Sequence, residues 1–238
     1  MVESIIMDSQ RMSRAFALVT ELYQNDIRKA SGAWGLHHPL GVCELVMSLG
    51  ADEDTCIGAL FHDVAEDKGG EEMLSRIRAE FGERVETIVR DCSDTIPTDY
   101  SVKEPWMERK VKHLIHIKDG MIPESRLVLT ADTLHNCRDH IRGFRANGMN
   151  WWNNFRANVY EDRERTPEII AVSSMWYLRA KYECLVWASK NKLKNALLVE
   201  LDDACNQLID LNSHLFVKYI SVFSYADAKM LEISDAGN

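Results

Sequence analysis

Four ionisable side chains stand within six residues of this chain, directly after an apolar segment. Residues 56–61 read Cys-Ile-Gly-Ala-Leu-Phe, and the ionisable residues that follow are His62, Asp63, Glu66 and Asp67. On a helix the acidic pair lies one turn after the His-Asp pair, so the four side chains lean toward overlapping faces. A helix whose other positions belong to a core cannot bury unpaired carboxylates and imidazoles without a large cost. The pattern therefore predicts a core helix with a cation beside it, and a divalent metal ion is the simplest such cation.

Two further places in the chain offer residues of the metal-ligating type. His38 precedes Pro39, which is predicted to occupy the first position of a helix and to leave His38 at its cap. Asp132 and Asn136 lie four residues apart in a periodic run over residues 127–141, hence on one helix face. Each feature alone is more often a capping histidine, a solvated aspartate or a surface pair than a ligand. Three of them together indicate a metal site.

These motifs resemble the HD-domain hydrolases of the alarmone ppGpp, a family that includes the hydrolase half of the Rel/SpoT proteins and the free-standing small alarmone hydrolases. The resemblance extends from about residue 28 to about residue 177. The His-Asp doublet alone is shared by many phosphohydrolases. The combination of His62-Asp63-x-x-Glu66-Asp67 with Ala131-Asp132-x-Leu134-x-Asn136 is specific to a much smaller group of proteins. The three motifs are His38-Pro39, His62-Asp63-x-x-Glu66-Asp67 and Ala131-Asp132-x-Leu134-x-Asn136.

The resemblance implies a single bound divalent ion, usually manganese in the family. Independently of the resemblance, a mixed set of nitrogen and oxygen donors suits Mn²⁺, Fe²⁺ or Zn²⁺ better than Ca²⁺. The spacing of these residues in the sequence does not by itself choose among the three metals. The implied metal ligands are His38, His62, Asp63 and Asp132.

The resemblance also implies roles for residues around that ion. Glu66 and Asp67 match the acidic pair that orients and deprotonates the attacking water, because a carboxylate near a metal can accept its proton. Arg28, Lys29 and Asn136 match positions that hold the guanine base and the ribose. An arginine suits base stacking because its guanidinium is planar and delocalised.

Two positions depart from the family pattern. Thr133 stands where the family usually has Lys or Arg, and Phe61 stands where it usually has Leu. Neither matches a metal ligand, so the departures bear on substrate preference and leave the catalytic pattern intact.

Helical periodicity runs through the chain, and no alternating strand pattern is found. We expect an all-α fold, an HD-domain helical bundle over residues 1–190 with an extended C-terminal helical segment over residues 191–238. That segment is expected to pack on the core or to form a dimer interface. Nothing in the chain resembles the alarmone synthetase domain, so the resemblance implies a free-standing hydrolase.

Several helix boundaries can be predicted from local signals. Asp8 or Ser9 is expected to cap a first helix that ends near residues 31–32. Asp52 is expected to cap the helix that carries the His-Asp pair, and Gly69-Gly70 is expected to end it. A long helical run is predicted from residue 193 to about residue 230.

Composition narrows the class of protein. The chain has 238 residues, a net charge of −9 and 46% hydrophobic residues, which predicts a sizeable core and no nucleic-acid partner. Six cysteines without a C-x-x-C pair read as reduced core thiols. We find no secretion signal and no apolar stretch long enough for a transmembrane helix, so we expect a cytoplasmic protein without a membrane partner. A homodimer is a further expectation.

The favoured function at this point is a Mn²⁺-dependent pyrophosphohydrolase that removes the 3′-diphosphate of ppGpp or pppGpp to give GDP or GTP and pyrophosphate. Hydrolysis of another nucleotide, such as ppApp or NADPH, is the nearest enzymatic alternative. A non-catalytic HD protein that sequesters a nucleotide or a partner protein is the alternative of a different class. The Glu66-Asp67 pair argues against sequestration, because a sequestering protein has no use for a proton acceptor beside a metal.

Overall fold

The computed structural model describes residues 8–96, 104–160, 163–189 and 196–236. Within these ranges the chain forms α-helices, one 3₁₀ helix and no strand beyond a single β-bridge between Ile27 and Trp34, so the predicted all-α class is confirmed. The described helices are α1 (Ser9–Tyr23), α2 (His37–Ser48), α3 (Glu53–Phe61), α4 (Val64–Lys68), α5 (Gly70–Phe81), α6 (Glu83–Cys92), α7 (Trp106–Asp119), α8 (Pro123–Asn147), the 3₁₀ helix (Gly148–Asn154), α9 (Pro167–Ala188), α10 (Ala196–Leu211) and α11 (Ser213–Ala236).

The first of two compact units contains the described parts of Met1–Arg28, Gly32–Ser101 and Met121–Asp132. Helix α3 lies at its centre and packs against α1, α2 and α6. All residues of α3 from Thr55 onward are buried. Helix α6 comes unusually close, because a Cβ placed on Gly58 would lie 2.6 Å from Cγ2 of Ile88. The C-terminal end of this buried helix delivers the His-Asp pair.

The predicted single helix through the His-Asp pair is in fact two helices. Helix α3 ends one residue before His62, and α4 begins one residue after Asp63. Asp63 lies at the break with φ −97° and ψ −7°, at some distance from the ideal helical values. The Asp67 N–H nevertheless donates to the Asp63 carbonyl at 3.0 Å, so the one-turn spacing of the acidic pair survives.

Both aspartate caps are found where the sequence predicts them, but α1 ends early. Asp8 accepts hydrogen bonds from two backbone N–H groups of α1, and Asp52 accepts one from α3. Helix α1 was expected to reach residues 31–32 and instead ends at Tyr23. The indole N–H of Trp34 donates to the Tyr23 carbonyl at 2.9 Å. This bond satisfies a helix-end carbonyl and lets the chain turn back.

The predicted position of His38 at a helix cap is wrong. Helix α2 begins at His37, so His38 is its second residue and Pro39 its third. Proline is tolerated there because the first-turn N–H groups have no partner within the helix. His38 is consequently buried, with 3% of its surface exposed.

The second unit contains the described parts of Lys29–Ser31, Val102–Gly120 and Thr133–Asn238. Its centre is α9, which packs against α7, α10, α11 and the 3₁₀ helix. Trp151 and Trp152 of the 3₁₀ helix are buried, so they serve packing. No helix in the described part of the chain is long and apolar enough to cross a membrane.

The predicted C-terminal run is two helices, α10 and α11, which meet at the buried Asn212. The Asn212 amide donates to the Leu208 carbonyl at 2.9 Å and accepts from the Trp152 indole N–H at 3.3 Å. Both bonds tie the break to the interior of the second unit. The start of the predicted run, residues 193–195, lies outside the described residues, and the division at residue 190 stays a prediction.

Candidate metal centre

Four candidate ligands come together in the first unit from three separate segments. His38 comes from the first turn of α2, His62 and Asp63 from the turn between α3 and α4, and Asp132 from α8. One donor atom from each of His38, His62 and Asp132 lies within 4.8 Å of the other two. These three side chains are buried, whereas the Asp63 side chain is 37% exposed.

The distances between donor atoms fit a single small ion. The two histidine Nε2 atoms are 3.1 Å apart. Asp132 Oδ1 lies 3.2 Å from His38 Nε2 and 3.7 Å from His62 Nε2, and Asp63 Oδ2 lies 3.4 and 3.2 Å from the same two atoms. Ligand atoms that are each about 2.1 Å from one ion at cis or tetrahedral angles are about 3.0–3.4 Å apart. Two imidazoles and two carboxylates are also a donor set that suits Mn²⁺, Fe²⁺ or Zn²⁺.

The orientation of His62 is determined by its own helix. Its Nδ1 lies 2.8 Å from the Ala59 carbonyl oxygen, which can only accept, so Nδ1 carries the proton. In the neutral ring the Nε2 lone pair then faces the other donors. A backbone carbonyl on the second ring nitrogen is the usual support of a metal-binding histidine.

The charges of the cluster favour a cation at this point. Burial disfavours a charged His62 ring, but Asp63 and Asp132 outweigh burial and raise its pKa well above the ordinary value. Burial likewise opposes ionisation of Asp63, and the nearby imidazoles still hold the pKa of its carboxyl far below the usual range. Positive charge at this point is therefore stabilised by both carboxylates.

The two residues of the acidic pair on α4, Glu66 and Asp67, have different surroundings. Glu66 is half-buried, and its Oε1 accepts a hydrogen bond from the backbone N–H of Asp94 at 2.6 Å. Asp67 is exposed and makes no side-chain hydrogen bond or ion pair within the described ranges. Desolvation by the surrounding protein and repulsion from Asp63 raise the pKa of Asp67 to about 6. The sequence motifs did not single out Asp94, because a backbone donor carries no signal in residue type.

A search of protein-family models finds the HD domain over residues 15–158, more than half of the chain. The chain belongs to the HD-domain family. A solved structure of a metazoan ortholog of SpoT, described as hydrolyzing ppGpp, has the same fold as this HD protein. The two share a TM-score of 0.61 and 19% identity, over 85% of this chain and 97% of that one.

Three curated relatives also match this HD protein. A probable GTP pyrophosphokinase of Mycobacterium leprae is 26% identical over 53% of this chain. A probable guanosine-3′,5′-bis(diphosphate) 3′-pyrophosphohydrolase of Synechocystis is 29% identical over 52%, and an Aquifex aeolicus protein named as that pyrophosphohydrolase is 29% identical over 79%. The matches cover 15%, 16% and 23% of these relatives, so the chain spans less than a quarter of their length.

The three predicted substrate-binding residues fall in both units of this HD protein. Arg28, in the first unit, is half-buried, and its backbone N–H donates to the Ala33 carbonyl at 2.9 Å. Lys29 and Asn136 belong to the second unit, where Lys29 is exposed and Asn136 is half-buried. Asn136 lies one turn along α8 from Asp132. Their roles in binding remain predictions.

The two departures from the family pattern are both packing positions. Phe61 has no exposed surface and its ring centroid lies 5.1 Å from that of Phe81. Thr133 is also fully buried. A lysine or arginine at position 133 would place a charge in that interior, so the threonine suits its local environment.

Proposed function

We propose that this HD protein is a metal-dependent pyrophosphohydrolase that removes the 3′-diphosphate of ppGpp or pppGpp, giving GDP or GTP and pyrophosphate. The observation that carries the proposal is the convergence of two imidazoles and two carboxylates immediately before the acidic pair of α4. The names of the Synechocystis and Aquifex relatives supply the substrate class.

His38, His62, Asp63 and Asp132 would hold one divalent ion, and we propose Mn²⁺. When bound, such an ion supplies positive charge that polarises the phosphoryl group and acidifies water. The exposed side of the cluster is that of Asp63, so substrate approaches the donors from there. The three buried ligands keep water from the opposite side.

The acidic pair would divide the remaining chemistry. The bond from the Asp94 N–H gives Glu66 a fixed orientation, which suits it to align the attacking water. Asp67, exposed and without a side-chain partner in the described part of the chain, accepts the proton. A pKa near 6 leaves Asp67 mostly ionised at neutral pH and makes it a stronger base than an ordinary aspartate.

Recognition of the nucleoside is assigned to residues outside the metal cluster. Arg28 would stack on the guanine, with Lys29 beside it in sequence, and Asn136 would bind the ribose. We also propose a cytoplasmic location, which is consistent with six buried cysteines that form no disulfide. A homodimer formed through the C-terminal helices is a further part of the proposal.

The decisive experiment is a substrate panel with two readouts. Purified, manganese-loaded protein is incubated with ppGpp, pppGpp, ppApp and NADPH, and pyrophosphate and phosphate are both assayed. Pyrophosphate released from ppGpp and pppGpp supports the proposal, and phosphate released from NADPH alone favours the runner-up. An Asp67→Asn variant is the matched control, because activity from a contaminating hydrolase would not respond to it. Tight nucleotide binding without any product would favour sequestration.

A further inference from the structure

The segment between α1 and α2 forms a short hairpin that presents Arg28. We call residues 26–28 and 32–35 the Arg28 hairpin. Ile27 and Trp34 form its antiparallel bridge, and the Gly35 N–H donates to the Asp26 carbonyl at 2.7 Å. Together with the bond from Arg28 to Ala33, these contacts hold the two sides of the hairpin together, with Asp26 at its base.

Asp26 is packed tightly as well as hydrogen-bonded. A Cβ placed on Gly35 would lie 2.6 Å from the Asp26 Cβ, so only glycine allows the two sides of the hairpin to approach this closely. The Asp26 N–H also donates to the Tyr23 carbonyl at the end of α1. A side chain that binds the Asp26 carboxylate therefore also fixes the position of the Arg28 hairpin.

Lys68 holds that carboxylate from the end of α4. Its Nζ lies 2.5 Å from Asp26 Oδ2 and 4.7 Å from the centroid of the Tyr23 ring. The Lys68 side chain is 17% exposed, and Tyr23 is buried. An ammonium that is both ion-paired and placed over a buried aromatic face loses much of the freedom of its long side chain.

Lys68 also immediately follows the acidic pair. One peptide bond separates it from Asp67, and one residue, Ile27, separates Asp26 from Arg28. The ion pair between Lys68 and Asp26 thus connects the neighbourhood of Asp67, which is proposed to accept the proton, with that of Arg28, which is proposed to hold the base. Several other ion pairs of the first unit, such as Arg76 with Glu80, join two exposed side chains, and pairs of that kind add little.

We propose that Lys68 is a positioning residue, which fixes the Arg28 hairpin to the end of α4 so that Arg28 meets the purine while the diphosphate lies at the metal cluster. This inference rests on the proposed function. Lys68 acts through Asp26 and Arg28, and it need not touch the substrate itself.

The first test replaces Lys68 by methionine, which keeps the apolar stem and removes the charge. KM for ppGpp is expected to rise about 10- to 100-fold, since misplacement by about 1 Å has effects of that size, while kcat falls much less. The matched control is Lys112→Met, which removes an exposed lysine pair with Glu104 at 2.8 Å and should leave KM unchanged. An unchanged KM in Lys68→Met would overturn the proposal.

A double-mutant cycle separates positioning from direct binding. If Lys68 acts through Arg28, then adding Lys68→Met to an Arg28→Ala enzyme produces no further rise in KM. Equal effects in both backgrounds would mean that Lys68 binds substrate on its own, and would sink the positioning role. Asp26→Asn should reproduce Lys68→Met, and Lys68→Arg should restore part of the lost affinity.

A third measurement does not depend on catalysis. Hydrogen exchange of the Arg28 and Gly35 amides, both bonded across the hairpin, should accelerate in Lys68→Met and not in Lys112→Met. If no nucleotide is hydrolysed by the native protein, the proposed function fails, yet faster exchange would still support Lys68 as the anchor of the hairpin. Unchanged exchange would refute the anchor in either case.

Discussion

At the scale of single residues, His62 links the fold of this protein to its chemistry. Its Nδ1 bonds to a carbonyl one turn back in α3, and its Nε2 meets donors from α2 and α8. One ring thereby aligns a buried helix with a point where three segments converge. The same geometry explains why the sequence doublet His-Asp occurs at the end of a helix, where both side chains can turn toward the same point.

Asp132 is the ligand most distant in sequence, and its removal tests the shared site. Asp132→Asn should lower the affinity for Mn²⁺ by at least the ~10–100-fold that is typical when only a supporting partner is lost. Metal content after dialysis against a graded metal buffer measures the effect. Glu80→Gln, at an exposed pair on α5, is the control. Unaltered affinity in Asp132→Asn would remove α8 from the site.

The acidic pair allows a prediction that separates binding from chemistry. Asp67→Asn should retain the metal and lower kcat by about 10²–10⁴-fold, as expected for a lost general base. Glu66→Gln should cost less, because its amide oxygen can still accept from the Asp94 N–H. Steady-state kinetics with parallel metal analysis distinguishes the two variants. Turnover that stays normal in the double variant would exclude both residues from the mechanism.

At the scale of elements, the close contact between α3 and α6 holds the metal-binding turn in place. A helix that is buried from Thr55 to its end needs a small residue where its neighbour crosses, and Gly58 is that residue. The intrinsic cost of a glycine in a helix is about 1 kcal/mol relative to alanine. Close packing against Ile88 offsets this cost.

Gly58→Ala should therefore destabilise the protein although alanine is the better helix former. The new methyl group would overlap with Ile88, and overpacking of this kind costs about 1–3 kcal/mol in the free energy of unfolding. Denaturant unfolding measures the loss. Adding Ile88→Ala removes the overlapping side-chain atoms, so the double variant should be more stable than the sum of the two single changes implies. Strict additivity would show that the contact is not the cause.

At the scale of the whole molecule, the candidate metal ligands all belong to one compact unit, whose described segments come from three stretches of the chain. A site of this kind exists only when those stretches are folded together. An ion that binds the native protein and not the unfolded chain must then stabilise the fold.

Saturation with Mn²⁺ should consequently raise the unfolding temperature. A ligand at about 100 times its Kd adds about 2.7 kcal/mol, which corresponds to roughly 5–10 °C for a protein of this size. Calorimetry with manganese and after chelation measures the shift. Asp63→Asn should lose most of the shift, and a full shift in that variant would place the ion elsewhere.

The helical class and the residues of the candidate site could be predicted from sequence because each leaves a local mark. Apolar residues at helical spacing mark the helices, and the side chains of the His-Asp pair, the histidine before proline and the distant aspartate carry chemistry in their residue type. The two aspartate caps were predictable for the same reason, because an aspartate directly before a run of helical periodicity is a typical N-cap residue.

What only the tertiary structure decided are features that depend on partners far along the chain. The early end of α1 depends on the Trp34 indole, the burial of His38 on where α2 begins, and the break between α10 and α11 involves a hydrogen bond from Trp152. The orientation of Glu66 comes from a backbone N–H, and the anchor of the Arg28 hairpin from Lys68. A sequence determines which groups are present, but hydrogen bonds and ion pairs require them within about 3–4 Å, and only the folded chain brings distant residues that close.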